Sequence, residues 1–79
     1  MERTEVVNRL TPIFRKVFND ESIVVTDVLT ANDVAGWDSL SHMLLIAEVE
    51  SGFSIKFKLK DLNKMRNVGD MTDIILSKL

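Results

Sequence analysis

The 79-residue sequence predicts an all-α fold, a small bundle of three longer helices and one short, with a long loop between the first and second helices. Three observations carry this reading. Apolar residues recur at three- and four-residue steps in separate stretches of the chain. Three glycines and one proline leave too little turn punctuation for a many-stranded sheet. The length supplies one hydrophobic core and nothing for another, so residues 1–79 read as a single domain.

Val6, Val7, Leu10, Ile13, Phe14, Val17 and Phe18 form the apolar stripe of a first helix from about Arg3 to Phe18. Pro12 removes the backbone donor that would reach the Asn8 carbonyl. The helix either kinks there or starts late, with Thr11 as N-cap and Pro12 in its first turn. The unbroken stripe favours one kinked helix. Asn19 to Trp37 has no helical period, and a connection this long must pack down or work. Val28, Leu29 and Val34 are its expected anchors.

Asp38 is a good N-cap for a second helix whose strongest part is Leu40 to Glu50, and Gly52 is expected as the left-handed residue closing it. This helix is apolar on two faces. One stripe runs His42, Leu45, Ile46, Val49 and Phe53; the other runs Leu40, Met43, Leu44 and Ala47. A surface helix buries one such stripe, and the second needs a reason. Phe53, Ile55, Phe57 and Leu59 alternate with polar residues, which predicts an extended segment with its apolar side inward. Asp61 to Met65 suits one short helical turn. Asn67 caps a last helix with core residues Val68, Met71, Ile74, Ile75 and Leu79.

Composition excludes several functions. There is no cysteine, hence no disulfide, thiolate metal site or cysteine nucleophile. One histidine does not make the usual zinc constellation, and no metal site is expected. No apolar run approaches the roughly 18–20 residues of a membrane span, and Met1 to Leu10 has no signal-peptide core. A cytoplasmic protein is expected.

The net charge of −2 hides a lopsided distribution. Asp20 to Ser51 holds seven acidic residues and no lysine or arginine, whereas Phe53 to Leu79 holds six basic and three acidic. The acidic stretch is a poor nucleic-acid surface and a reasonable one for basic protein partners. Its carboxylates should repel one another unless the Lys56–Arg66 segment folds back beside them.

Ser39 opens a helix, where unsatisfied amides and the positive end of the macrodipole suit a phosphate ester. The plainer reading is that a serine beside an aspartate N-cap simply helps capping. His42, one turn on, does not complete a hydrolase: no third group orients it, and no oxyanion donors or G-x-S-x-G elbow accompany it. Lys56, Lys58, Lys60, Lys64 and Arg66 surround Phe57, but that alternation suits a solvated face opposite a buried one. Trp37 reads equally as a partner contact or as a lid on the bundle.

The run Gly36-Trp37-Asp38-Ser39-Leu40 resembles the D-S-L attachment motif of the acyl carrier protein family. The first amphipathic helix, the long loop before the motif and the helix starting at the serine resemble it too. So do Glu48 and Glu50 near that helix's end, Phe53-Ser54-Ile55, and the Asn67-Val68 opening of the last helix. The resemblance spans essentially the whole chain and implies one carrier-type domain.

By that resemblance, Ser39 would bear 4′-phosphopantetheine, transferred from coenzyme A by a phosphopantetheinyl transferase. The arm's thiol would hold an acyl group as a thioester, and the carrier itself would catalyse nothing. Asp38 matches the acidic residue of the motif. Trp37, Leu40, Met43, Leu44, Ala47 and Glu48 would meet partners, namely the transferase and acyl-activating or acyl-transferring enzymes. A monomer is expected. The alternative is an unmodified helical domain that docks partners through the Leu40/Met43/Leu44/Ala47 stripe.

Carriers of primary fatty acid synthesis are usually acidic where this chain has Ser41 and Leu44, and often acidic where it has Lys56, Lys58 and Lys60. Trp37 replaces a small residue. These departures imply a specialised carrier, in polyketide-like, surface-lipid, polysaccharide-linked or aminoacyl pathways.

Overall fold

Helix α1 spans Arg3–Phe18 in the computed structural model, which describes residues 1–79. It runs through Pro12 as one helix, with the proline on its exposed side. Arg15 and Lys16 in the last turn suit the negative end of the macrodipole. Asn19 closes the helix in the left-handed region at φ 50°, a conformation asparagine tolerates. Val6, Leu10 and Phe14 are fully buried.

The long connection packs down through Ile23, Val25 and Val34. Val28, an expected anchor, is 77% exposed, while Leu29 is half-buried. The β-branched run supplies the contacts instead, with Ile23 and Val25 inward and Val24 outward in period two. A short 3-10 turn at Ala31–Asp33 is closed by the Asp33 carboxylate, which accepts from the Thr30 N–H and hydroxyl at 3.0 and 3.1 Å.

Helix α2 spans Ser39–Phe53, longer than its strongest sequence signal. Gly52 is not the left-handed residue: it lies inside the helix, and Ser54 takes that role at φ 56°. The reason is burial, because Phe53 must stay helical to reach the core. Gly52 serves close approach, since Ile13 Cδ1 lies 3.1 Å from where a Cβ would stand. Leu45, Ile46 and Val49 form the rest of α2's buried stripe.

Ile55 and Phe57 point inward as the alternation requires, but Leu59 is 75% exposed. It opens a short helix α3 at Leu59–Asn63, two residues earlier than predicted. The Asp61 carboxylate accepts from the Lys58 N–H at 2.8 Å and so fixes that start. The same carboxylate pairs with Lys78 at 2.8 Å, tying α3 to the end of the last helix.

Helix α4 spans Val68–Lys78, with Asn67 as the predicted N-cap. Val68, Met71 and Ile75 are buried, Ile74 is half-buried, and Leu79 lies past the helix end and is exposed. Leu76 packs against the core in its place. Helix α1 packs against both α2 and α4. The result is an all-α bundle of three longer helices and one short.

The loop also caps α4. Asp27 and Leu29 carbonyls accept from the Gly69 and Val68 N–H groups at 2.8 and 3.0 Å, and Asn67 Oδ1 accepts from Asp70. Three donors that a helix start leaves open are thus satisfied. A Cβ on Gly69 would lie 3.0 Å from the Asp27 carbonyl oxygen. That carbonyl is held by the Gly69 N–H and its side chain by Arg3, so it has little room to yield. Gly69→Ala gains up to about 1 kcal/mol of helix propensity but forces this junction apart. The expected net is a loss of about 1 kcal/mol, read as a lower denaturation midpoint.

Thr72 is fully buried, and its hydroxyl has no hydrogen-bond partner. Thr72→Val keeps the shape and removes the unsatisfied group, so it is expected to stabilise the chain by about 1 kcal/mol in the same measurement.

Acidic repulsion is relieved mainly from α1. Arg3 pairs with Asp27 and Asp73, and Lys16 pairs with Glu48 at 3.2 Å. The Lys56–Arg66 segment does not fold back on the acidic stretch: the one ion pair its basic residues make is Arg66–Asp70.

Candidate functional site at the start of α2

The approach to α2 is shaped by Gly36. Its φ of +84° is a conformation glycine adopts without strain, and the turn closes with the Trp37 N–H on the Val34 carbonyl at 3.2 Å. This sends Trp37 inward and leaves Asp38 and Ser39 at the surface. The indole is half-buried, edge-on to Phe14 at 5.4 Å and tilted against Phe18 at 5.6 Å. Its Nε1–H donates to His42 Nδ1 at 3.0 Å. Trp37 is therefore the lid of an aromatic cluster.

Asp38 caps α2 by accepting from the Ser41 N–H at 2.9 Å, and Ser41 Oγ accepts from the Asp38 N–H at 2.8 Å. The Ser41 hydroxyl donates to the Gly36 carbonyl at 2.7 Å. This reciprocal box holds the Asp38 carboxyl below the usual carboxylate range, chiefly through the Ser41 N–H. The capping hydroxyl is thus Ser41. Ser39, the first residue of the helix, is exposed and its hydroxyl has no partner in the fold.

Beside Ser39 lies a cleft of about 300 Å³, lined by Ala31, Trp37, Asp38, Ser39, His42, Met65, Arg66, Asn67 and Met71. It collects the motif, the 3-10 turn, the α3–α4 connection and α4 at one end of the bundle. Burial pushes the His42 imidazole below its ordinary value, which favours its neutral form. Arg66 as a cleft residue was not evident from sequence. Asp38 as N-cap was readable from sequence, but Ser41 as its reciprocal partner was not, since the plainer reading gave that help to Ser39.

Along α2, Leu40 is 74% exposed, Met43 57% and Leu44 56%, and Ala47 continues the same face. Three- and four-residue spacing makes them one outward apolar stripe beginning next to Ser39. Glu48 borders it, paired with Lys16. Glu50 does not: its carboxylate accepts from the Phe57 N–H at 2.8 Å and holds the extended segment. Lys56, Lys58, Lys60 and Lys64 are exposed and make no ion pair. No helix is long and apolar enough to cross a membrane.

No family model matches the chain. An acyl carrier protein of Thermotoga maritima is 31% identical over 77 residues, covering 98% of this chain and 95% of that protein. The solution structure of a holo acyl carrier protein from Geobacter metallireducens superposes with a TM-score of 0.88 at 52% identity, covering 92% of this chain and 84% of that one. The full-length match in sequence and the shared helical fold agree with the exposed serine at the start of α2. The chain belongs to the acyl carrier protein family.

Proposed function

We propose that Ser39 is the attachment point of 4′-phosphopantetheine, and that this arm carries an acyl or related group as a thioester. One observation supports the assignment above the others: at the start of α2, Ser41 does the capping and Ser39 is left exposed and unbonded. A free hydroxyl at the positive end of α2 suits a phosphodiester, whose charge the macrodipole favours. Asp38, kept ionised by its cap, sets a negative charge beside that hydroxyl. When bound, the arm supplies the thiol; the residues around it orient it and shape the cleft.

The chain is a carrier and not a catalyst. Its outward stripe of Leu40, Met43, Leu44 and Ala47, with Glu48 at the border and Trp37 at its root, is the surface offered to partners. Those partners are a phosphopantetheinyl transferase and acyl-activating or acyl-transferring enzymes, met by a monomer in the cytoplasm. The unpaired lysines beyond α2 favour a specialised pathway over primary fatty acid synthesis. The test is an intact mass before and after incubation with coenzyme A and a broad-specificity transferase. One added arm is expected; a folded chain that gains none contradicts the proposal.

A further inference from the structure

We propose that Trp37 and His42 form a latch beside Ser39, closed while the imidazole is neutral and released when it takes a proton, with His42 positioning Trp37. The Trp37 Nε1–H donates to His42 Nδ1 at 3.0 Å, which places the imidazole's own proton on Nε2. The only lone pair left for a second proton is the one holding Trp37. Protonation turns that acceptor into a donor and sets N–H against N–H.

The ring geometry removes a compensating attraction. The planes are 18° apart with centroids 6.0 Å apart, and the 3.0 Å bond spans much of that separation. The rings therefore meet edge to edge, so the new charge does not sit over the indole's π face.

The charged groups around the cleft largely offset one another. The N-cap of α2 supplies Asp38, an anion engaged by Ser41, and the α3–α4 connection supplies Arg66, a cation paired with Asp70 of α4. Helix α1 faces Trp37 with Phe14 and Phe18, and α4 lines the cleft with Met71. Burial lowers the imidazole's value in the fold. The latch's contribution is thus complete above the unfolded histidine value and lost as pH falls through the lower, folded one.

Release frees Trp37 from its side of the cleft and uncovers the Phe14–Phe18 pair beneath it. A chain attached near Ser39 would then meet an apolar floor; that consequence rests on the attachment reading, whereas the latch itself does not.

Trp37 is the only tryptophan, so quenching of its fluorescence by neutral acrylamide reports the latch alone. The experiment uses the unmodified chain and Ser39→Ala, from about pH 8 to about pH 5, with far-UV circular dichroism alongside. The quenching constant is expected to rise about twofold or more towards acid with the helical signal constant, as for a shifted local equilibrium. His42→Asn, which keeps an acceptor near the Nδ1 position, should stay closed throughout. His42→Phe, which has none, should show no transition. A flat wild-type profile, a transition surviving in His42→Phe, or quenching that rises only as helix is lost would overturn the latch.

Discussion

Phe14→Ala is expected to cost about 3–5 kcal/mol, the usual range for emptying a buried aromatic site. Phe14 is fully buried and underlies Trp37 at 5.4 Å and Phe18 at 6.1 Å, so neighbours bound the space it would vacate on more than one side. At about 0.05–0.15 kcal/mol per residue, a domain of this length has roughly 4–12 kcal/mol in total. The loss is therefore about a quarter of the stability or more, and the melting midpoint should fall by roughly 12 °C or more. Leu59→Ala makes the contrast: this leucine is exposed at the start of α3, and its change should stay within about 0.5 kcal/mol. Equal losses in the two variants would mean that the core is not centred on α1 as described.

The second large effect separates two serines that lie two positions apart. Ser39→Ala is expected to abolish modification while changing stability by no more than about 0.5 kcal/mol, because its hydroxyl bonds to nothing in the fold and alanine is a good first-turn residue. Ser41→Ala should do the reverse. It removes the acceptor for the Asp38 N–H and the donor to the Gly36 carbonyl, a loss of about 1 kcal/mol, and leaves modification in place. Paired mass and denaturation measurements read both. An unfolded Ser39→Ala, or a Ser41→Ala that is not modified although folded, would reverse the assignment of the two hydroxyls.

The difference between these serines was only half legible in the sequence. Asp38 as N-cap and Ser39 as first helical residue follow from local chemistry, and α1 and α4 follow from apolar period. Gly52 and Val28 did not, because both depend on long-range contacts. Gly52 stays helical because Phe53 is drawn into the core and Ile13 passes close by. Val28 is exposed because Ile23, Val25 and Val34 already anchor the loop. The same applies to Trp37: local sequence left lid and partner contact equal, and it was Phe14 and Phe18 of α1 that drew the indole inward. The second apolar stripe of α2 was visible as an excess. Its exposure became certain only when α1 was seen to pack on the other face.

Alternation after α2 misled in part for a related reason. Phe53 belongs to α2, and period two holds for Ile55 and Phe57, but Asp61 reaches back to the Lys58 N–H and starts a helix before the pattern ends. A carboxylate three residues past a candidate N-cap is a signal readable in sequence, and it outranks one further apolar position.

The central claim is that the unbonded hydroxyl at the start of α2 carries the arm, and its most direct test is to locate the added mass by fragmenting the modified wild-type chain. The account predicts the whole addition on Ser39, with Ser41 unmodified. An addition found on Ser41 would contradict it.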